Sequence, residues 1–303
     1  MNRALIKGIW AILSLLIFAS CEKNDLSDNT SFLVYPKGNE TLVGGKVYEI
    51  TWNSNDAAKV NIGLYDGTEL IYQIAQTTEN DGFFEGAISD DVPVKEDLNL
   101  KITSIEHEIL IESKSELRIL PAPQFSSFVD ERDGTVYKTV KIGEQWWMAE
   151  NFRFLTETGY YEYDSEVRYE IYGILYSYDV AVMYPPEGWH LPTDEEWNEL
   201  ERYLGLTEEE IYIDGNRGTY VGDLLKYESG LGFDALYGGY RNSVHEYNSS
   251  LNGHEGWEAH FWTSSSNEVG NIVRILTKDN GGITRRYTRS HAGCSVRYIK
   301  NTE

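Results

Sequence analysis

The amino-acid sequence predicts a mainly β protein in which a β-sandwich is followed by an α+β domain. Short segments of alternating polar and apolar residues, separated by turn residues, recur up to about Leu120. Pro121-Ala122-Pro123 then interrupts both helix formation and sheet pairing. Six of the eight tryptophans lie after this break, together with a segment of helical periodicity. These observations predict two folded domains, over residues 31–120 and 128–303, joined by a linker over residues 121–127.

Residues 1–20 have the composition of a secretory signal peptide. Two cations precede an apolar run that is shorter than the roughly 20 residues needed to cross a bilayer. The small residues Ala19 and Ser20 come directly before Cys21, and this arrangement resembles the lipobox of bacterial lipoproteins. The resemblance implies cleavage before Cys21 and a diacylglyceryl thioether on its sulfur. A plain signal peptide followed by an incidental cysteine is the alternative.

Residues 21–30 are polar and lack a hydrophobic period, which predicts a flexible tether. An acidic stretch after a lipidated cysteine resembles the surface-export signal of lipoproteins in the Bacteroidetes group, although a solvated linker has the same composition. We therefore expect a lipid-anchored protein of the outer membrane, exposed at the cell surface. The chain has 49 acidic and 26 basic residues, a net charge of −23, which argues against a nucleic-acid partner.

Regular alternation defines the first domain. In residues 46–52 the side chains of Tyr48, Ile50 and Trp52 share one face of a predicted strand. Asp66-Gly67 is a strong turn pair at the end of another alternating segment. Seven strands at this spacing, without a helical period, indicate a β-sandwich. The predicted strands cover residues 32–35, 46–52, 60–64, 70–75, 82–88, 98–105 and 117–120.

Three short features of the first domain carry a family resemblance. Tyr35-Pro36, Gly44-Gly45 and Ile50-Thr51-Trp52, in this order, resemble the immunoglobulin-like domain of yeast cell-wall glucan-assembly proteins and of many bacterial surface proteins. The resemblance implies an immunoglobulin-like β-sandwich that acts as a spacer. We expect Trp52 to anchor its core rather than to bind a ligand.

The second domain contains seven separated motifs that together resemble a known family. In their order they are similar to the Fibrobacter succinogenes major paralogous domain over about residues 128–300. The resemblance implies a fold like that of C-type lectins and sulfatase-modifying factors: an irregular, mainly antiparallel sheet with two short helices and long loops. The motifs are DGTVYKTVKIG (133–143), WMAEN (147–151), YGILY (172–176), PEGWHLPTDEEW (186–197), GGYR (238–241), FWTSS (261–265) and SVR (295–297).

One helix and one hairpin follow from the residues themselves. Thr193 and Glu196 form the pattern of a capping box, and Gly205 can end the helix. Trp197, Leu200 and Leu204 then share one face of this helix.

The predicted hairpin consists of strands over residues 273–277 and 283–288. They flank the turn sequence Asp279-Asn280-Gly281-Gly282.

The chain departs from the family at two positions. The resemblance implies a cysteine before the Gly-Trp-His motif and another after Ser-Val-Arg, but Tyr184 and Tyr298 occupy these places. We expect the two tyrosines to replace the disulfide by apolar packing. Cys294 is then unpaired, and we expect it to be a small buried apolar residue.

No arrangement in the sequence favours catalysis, a metal or a cofactor, so we predict a protein that is not an enzyme. His254 and His260 are separated by six positions rather than the four of a zinc-binding helix. An isolated His190 lacks a partnered base and an orienting group, and we expect it to pack with Trp189 at the entrance of the helix. Cys294 alone cannot supply a redox pair.

Exposed aromatic residues beside polar groups favour ligand binding. Eight tyrosines lie between residues 160 and 184, interleaved with acidic residues. Tyrosine offers a flat apolar face and a hydroxyl, which suit stacking on sugars or contact with a protein. We predict that Tyr160, Tyr161 and Tyr163 are exposed ligand-binding residues. Tyr247 and Trp257, in the loop over residues 245–257, form a second candidate site.

The sequence thus predicts an outer-membrane lipoprotein that binds a glycan or protein ligand, as an accessory to a nutrient-uptake or adhesion complex. The alternative is a structural subunit docked permanently on a larger outer-membrane complex. An enzyme of unknown reaction is the third reading.

Overall fold

The structure is a computed structural model that describes residues 32–36, 38–53, 59–90, 92, 94–161, 166–241 and 254–302, without the side chains of residues 160, 161 and 166–168. The predicted signal peptide and tether, and with them Cys21, lie outside the described residues. So do Tyr163 and Tyr247. Among the described helices, none is both long and apolar enough to span a membrane.

Short strands make up the first region, which extends to Leu120. All seven predicted segments are strands, and the structure adds two short strands, at residues 41–43 and 109–112, that the alternation did not reveal. The bounds are β1 (Phe32–Tyr35), β2 (Thr41–Val43), β3 (Val47–Asn53), β4 (Lys59–Asp66), β5 (Glu69–Glu79), β6 (Phe83–Ala87), β7 (Lys95–Ser104), β8 (Ile109–Glu112) and β9 (Leu117–Leu120).

Two sheets enclose the core of the first region. One has the order β1-β3-β6; the other has the order β2-β9-β7-β4-β5, and β8 pairs with β7. Trp52 on β3 is buried, as predicted, and packs in one apolar cluster with Ile62 on β4. Alternate residues of a strand point to opposite faces, so the alternating sequence places one face of each sheet in this core.

The second region combines eleven described strands with four helices, rather than the two helices that the family resemblance implied. The strands are β10 (Gln124–Asp130), β11 (Thr135–Ile142), β12 (Gln145–Met148), β13 (Tyr160–Tyr161), β14 (Leu175–Tyr176), β15 (Trp189–His190), β16 (Gly215–Arg217), β17 (Glu258–Ser266), β18 (Asn271–Thr277), β19 (Asn280–Thr288) and β20 (Ile299–Lys300). The helices are α1 (Glu166–Tyr172), α2 (Tyr178–Met183), α3 (Asp194–Tyr203) and α4 (Val221–Leu225).

Two larger sheets organise this region. The first has the order β10-β11-β12-β20-β15, and the second has the order β16-β19-β18-β17. The predicted hairpin is present as β18 and β19, with β19 beginning at Asn280. The predicted linker over residues 121–127 is too long, because Gln124 already pairs with Lys141 across β10 and β11. Only the three residues of Pro121-Ala122-Pro123 separate β9 from β10.

The predicted helix is α3. The Thr193 side chain accepts a hydrogen bond from the backbone N–H of Glu196, while the Glu196 side chain accepts one from the backbone N–H of Thr193. This capping box satisfies two N–H groups that the start of a helix leaves free. Trp197 and Leu200 face the core as predicted, and Gly205 follows the helix with a φ of +108°.

Two apolar clusters lie on opposite faces of the β16–β19 sheet. Phe261 packs with Trp197 in one cluster, whereas Trp262, the next residue, packs with Tyr176 in the other. Val43 and Leu120 of the first region belong to the cluster that contains Trp197. Residues 31–303 accordingly form one compact unit. That the two predicted domains fold separately stays a prediction.

Tyrosine packing occupies the region where the family disulfide was implied. Tyr298 is buried, and Tyr184 packs partly buried against the same apolar cluster. The Tyr298 hydroxyl donates to the carbonyl of Ala181 at 2.9 Å. Cys294 is free and buried in this cluster, where burial raises the pKa of its thiol well above the ordinary value. It therefore packs as a small apolar residue.

Trp189 and His190 lie at the entrance of α3, as predicted. The Trp189 ring stacks on Phe128 at a centroid distance of 4.4 Å. The His190 Nε2 and Nδ1 atoms lie 2.7 Å from Glu196 Oε1 and from Asn301 Oδ1, respectively. His190 thus links the first turn of α3 to the residue that follows β20.

A buried ion network joins α3 to the sheet beneath it. Glu201 is fully buried and accepts from Arg274 Nε at 2.5 Å and from Arg217 Nη2 at 2.5 Å. Asp194 accepts from Arg274 at 2.7 Å and from Arg285 at 2.8 Å. Burial opposes ionisation of Asp194, but the hydrogen bonds from both arginines and their charges outweigh it and lower its pKa. The network fixes the orientation of α3 on β16, β18 and β19.

Candidate functional site

The predicted ligand-binding residues differ in how much of each the structure describes. The backbones of Tyr160 and Tyr161 form β13 and pair with Tyr176 and Leu175 on β14. Their side chains lie outside the described part, as do Tyr163 and Tyr247 entirely. Trp257 is the predicted site residue whose side chain the structure describes.

Trp257 lies on the surface just before β17. Its side chain is 54% exposed, which is unusual for an indole because aromatic rings are mostly buried. Its backbone N–H donates to the carbonyl of His254 at 2.9 Å, and its carbonyl accepts from the backbone N–H of Lys278 at 2.8 Å. The Lys278 Nζ atom lies 5.4 Å from the ring centroid. Backbone hydrogen bonds on both sides therefore fix the backbone that presents the exposed ring.

A histidine–carboxylate cluster adjoins Trp257. Glu258 Oε2 lies 2.7 Å from His260 Nε2, and Glu258 Oε1 lies 3.2 Å from His254 Nδ1. The Tyr240 ring stacks on His260 at a centroid distance of 4.4 Å and lies 5.8 Å from the His254 ring. His260 is buried, whereas His254 is exposed. The cluster therefore presents one imidazole to solvent and anchors it through Glu258.

The charges of this cluster follow from burial. The hydrogen bond from His260, aided by the charges of both histidines, lowers the pKa of Glu258. Burial lowers the pKa of His260, although Glu258 opposes this effect. At neutral pH Glu258 is thus an anion and His260 is a neutral donor to it. The pair orients its neighbours, and the surface left to a ligand consists of Trp257, His254 and Lys278, which we name the Trp257 surface.

The histidines of this cluster do not form a metal centre. In the described ranges, no group of three or more histidine, cysteine, aspartate or glutamate side chains is placed to hold a metal ion. His254 and His260 instead contact opposite oxygens of one carboxylate. What this arrangement can supply is an aromatic face together with hydrogen-bond donors and acceptors at its edge.

Sequence reasoning missed a cavity of about 230 Å³ beside β10. Phe125 and Tyr227 stand at its rim, and Arg297 and Asn151 lie at its floor. Arg297 belongs to the SVR motif, but nothing in that motif indicates that Phe125 lies nearby in the fold. A cleft of about 640 Å³ lies between the two regions and is lined by acidic residues and Arg118.

The comparisons with known proteins identify the family. The sequence model of the Fibrobacter succinogenes major domain matches residues 140–300, which is more than half of the chain. The matched range includes α3, the hairpin of β18 and β19, and the Trp257 surface. The chain belongs to the Fibrobacter succinogenes major domain family. No curated protein and no solved structure matches the chain.

Proposed function

We propose that this protein is a lipoprotein of the outer membrane, anchored through Cys21, that binds a glycan at the Trp257 surface. The exposed indole of Trp257, presented by a hydrogen-bonded backbone, is the observation that carries the proposal. A flat aromatic ring stacks on the C–H faces of a sugar, and it loses little conformational entropy because it has only two rotatable side-chain angles. His254 and Lys278 beside it supply polar contacts for hydroxyl groups.

Hydrogen bonding at the edge of the ring favours a ligand that binds in one orientation. Glu258 contacts His254 and His260 at once, so the exposed imidazole of His254 is held in one orientation. Stacking of Tyr240 on His260 supports the same cluster from below. A preorganised site of this kind binds with a smaller entropic cost than one on a mobile loop.

In this proposal the first region is a spacer with an immunoglobulin-like fold, and the second region has a fold like that of C-type lectins. Two sheets around one apolar core support the first assignment. Irregular sheets, four short helices and long connections support the second. The spacer would hold the Trp257 surface away from the membrane.

A glycan array tests the binding function. The chain from residue 31 is applied as the wild type, as Trp257→Ala and as Phe83→Ala, which removes a ring of the first region that is 47% exposed. We expect the wild type and Phe83→Ala to bind the same glycans. Trp257→Ala should lose about tenfold or more in affinity, because truncating a dominant aromatic contact costs at least about 1.4 kcal/mol of binding free energy.

Stability must be measured on the same variants. An unchanged melting temperature of Trp257→Ala attributes its loss of binding to the lost contact. If no glycan binds the wild type while the extracted native protein migrates in a large complex, the structural-subunit alternative replaces glycan binding.

Membrane fractionation tests the anchor separately. The Cys21→Ala variant should be absent from the membrane fraction, because the thioether that attaches the lipid requires the cysteine sulfur. Retention of Cys21→Ala in the membrane with an unchanged mass would contradict lipidation, and it would leave the glycan proposal intact.

A further inference from the structure

The cavity beside β10 has a charged floor. Arg297 is 2% exposed and lines it. Its Nε atom donates to Asn151 Oδ1 at 2.9 Å, Nη1 donates to the carbonyl of Phe233, and Nη2 donates to the carbonyl of Asp234 at 3.0 Å. The Phe233 ring centroid lies 4.4 Å from the guanidinium carbon. Arg297 is thus held rigidly by neutral acceptors and an aromatic face.

Arg297 differs from the other buried arginines in having no close counter-ion. Arg217 and Arg274 each contact the Glu201 carboxylate at 2.5 Å. In the described part of the chain, no carboxylate oxygen lies within 4.0 Å of a nitrogen of Arg297. Burial lowers the pKa of Arg297 to about 9, and the charges of Asp234 and Glu150 only partly offset this. A buried cation without a partner is energetically costly, so an anion that enters the cavity gains a strong interaction.

The guanidinium also retains hydrogen-bonding capacity. It has five N–H hydrogens in a planar fork, which suits a carboxylate. Three of them are engaged by Asn151, Phe233 and Asp234. Two remain without an acceptor among the described residues, one on each of the Nη atoms.

An apolar rim surrounds the mouth of the cavity. Phe125, Tyr227 and Ile171 are 64%, 59% and 50% exposed, respectively. Gly232 makes room for the first of these rings, since a Cβ atom there would lie 2.4 Å from Phe125 Cε1. Exposed large apolar residues around a concave polar floor are typical of a binding site for a small molecule.

The other charged residues of the lining carry one net negative charge, which opposes an anion less than Arg297 attracts it. Lys138 and Arg153 balance two of the three carboxylates, which belong to Glu150, Glu170 and Asp234. Lys138 and Glu170 are exposed, so solvent screens their charges. Arg297 lies deepest, where the lower dielectric strengthens its interaction with a ligand.

We propose that this cavity binds a small monocarboxylate with one flat or apolar face, such as a uronic acid unit or an aromatic acid. The carboxylate accepts hydrogen bonds from the free Nη–H groups of Arg297. The flat face of the ligand packs against Tyr227 and Phe125. The volume of about 230 Å³ accommodates a single ring of this kind. This site is separate from the Trp257 surface and does not depend on glycan binding there.

Calorimetric titration with paired probes tests the proposal on the chain from residue 31. The probes are D-glucuronate with D-glucose as its neutral counterpart, and benzoate with benzamide. We expect at least one carboxylate to bind about 10- to 100-fold more tightly than its neutral counterpart, because a charge-assisted hydrogen bond discriminates by this amount. Equal affinity within both pairs, or no binding of either carboxylate, overturns the proposal.

Two variants locate the binding. Tyr227→Ala should weaken binding of the carboxylate about tenfold. Tyr212→Ala is the matched control, because this tyrosine of the second region is 60% exposed and does not line the cavity. Equal effects of the two variants overturn the assignment.

Arg297→Lys keeps the charge but loses the fork, and it should abolish most of the preference for the carboxylate. If this variant fails to fold, the Tyr227→Ala result and the paired probes still decide the proposal.

Discussion

The two regions of the molecule bury their interiors in different ways. In the first region one apolar cluster fills the space between two sheets, and each described ion pair has an exposed partner. In the second region apolar clusters cover both faces of a sheet, and Glu201 with Arg217 and Arg274 forms ion pairs that are buried at both ends. Among the described ion pairs, those buried at both ends therefore lie in the second region, where they orient α3.

This difference between the regions is relevant to where the candidate binding sites lie. The first region consists of strands around one apolar core, and the role proposed for it is that of a spacer. The second region places short helices and irregular connections on a sheet, and its ion network holds α3 in position. Both the Trp257 surface and the Arg297 cavity are built from such connections, and rigid scaffolds with variable loops are typical of binding proteins.

The largest expected effect is the loss of a buried charge from the network. Glu201→Gln leaves Arg217 and Arg274 without their shared carboxylate, and we expect the free energy of unfolding to fall by about 3–5 kcal/mol. Glu79→Gln, which affects the exposed pair with Lys59, should cost less than about 1 kcal/mol. Denaturant unfolding measures both. If the two variants lose similar free energies of unfolding, the buried ion pairs of the second region do not contribute more to stability than the exposed pairs of the first.

A cavity in the apolar core of the first region should have the next largest effect. Ile62 is fully buried on β4, so Ile62→Ala is expected to cost about 2–5 kcal/mol through lost burial and an unfilled cavity. Ile62→Val removes one methylene and should cost about 0.5–1.5 kcal/mol. If thermal unfolding shows no difference between the two variants, packing density does not limit the stability of this region.

Helix capping gives a smaller and local effect. Thr193→Ala removes the side-chain acceptor of the capping box at the start of α3, which should cost about 1 kcal/mol. Ser177 begins α2 without a side-chain capping hydrogen bond, so Ser177→Ala is the matched control and should be nearly neutral. Urea unfolding compares them. A larger loss in Ser177→Ala than in Thr193→Ala would contradict the capping assignment.

The smallest expected effect is a pH dependence that arises in the second region. The folded-state pKa of His260 lies below the ordinary value of 6.5, because burial disfavours its charged form. The unfolded chain therefore binds more protons below that pH, and this contribution to stability is lost as the pH falls. The lowered pKa of Glu258 adds a further loss as the pH approaches its ordinary value of 4.5.

The change in melting temperature between pH 7 and pH 5, compared between variants and the wild type, tests this assignment. His260→Gln should lose less stability on acidification than the wild type, whereas His107→Gln, at an exposed histidine of the first region, should behave like the wild type. The general effect of the many acidic residues is common to all three proteins and cancels. Identical pH slopes for the wild type and His260→Gln would show that His260 does not titrate in this range.

Local signals explain what the sequence could predict of the fold. Alternation and turn pairs located seven strands of the first region, and a capping box located α3. The short strands β2 and β8 were missed. The linker was predicted too long, because Gln124 to Ser127 carry no strong strand pattern before they pair with β11.

The candidate sites were harder to predict, because they depend on contacts between distant segments. Trp257 was singled out from its residue type and its loop, and its role in binding stays a prediction. The arrangement of His254 and His260 on Glu258 could have been inferred only if β17 had been predicted, since Glu258 and His260 share one face of that strand. Arg297 and Phe125 meet only in the folded chain, so no local pattern indicated their cavity.

Tryptophan emission during glycan titration tests most directly whether the Trp257 surface carries recognition. Trp52, Trp147, Trp189, Trp197 and Trp262 are buried, so Trp257 is the most exposed indole in the part of the chain that the structure describes. With a glycan that binds on the array, the wild type should show a saturable change in emission, and Trp257→Ala should lose this change together with about tenfold or more in affinity. Undiminished affinity of a folded Trp257→Ala for the same glycan would contradict the account.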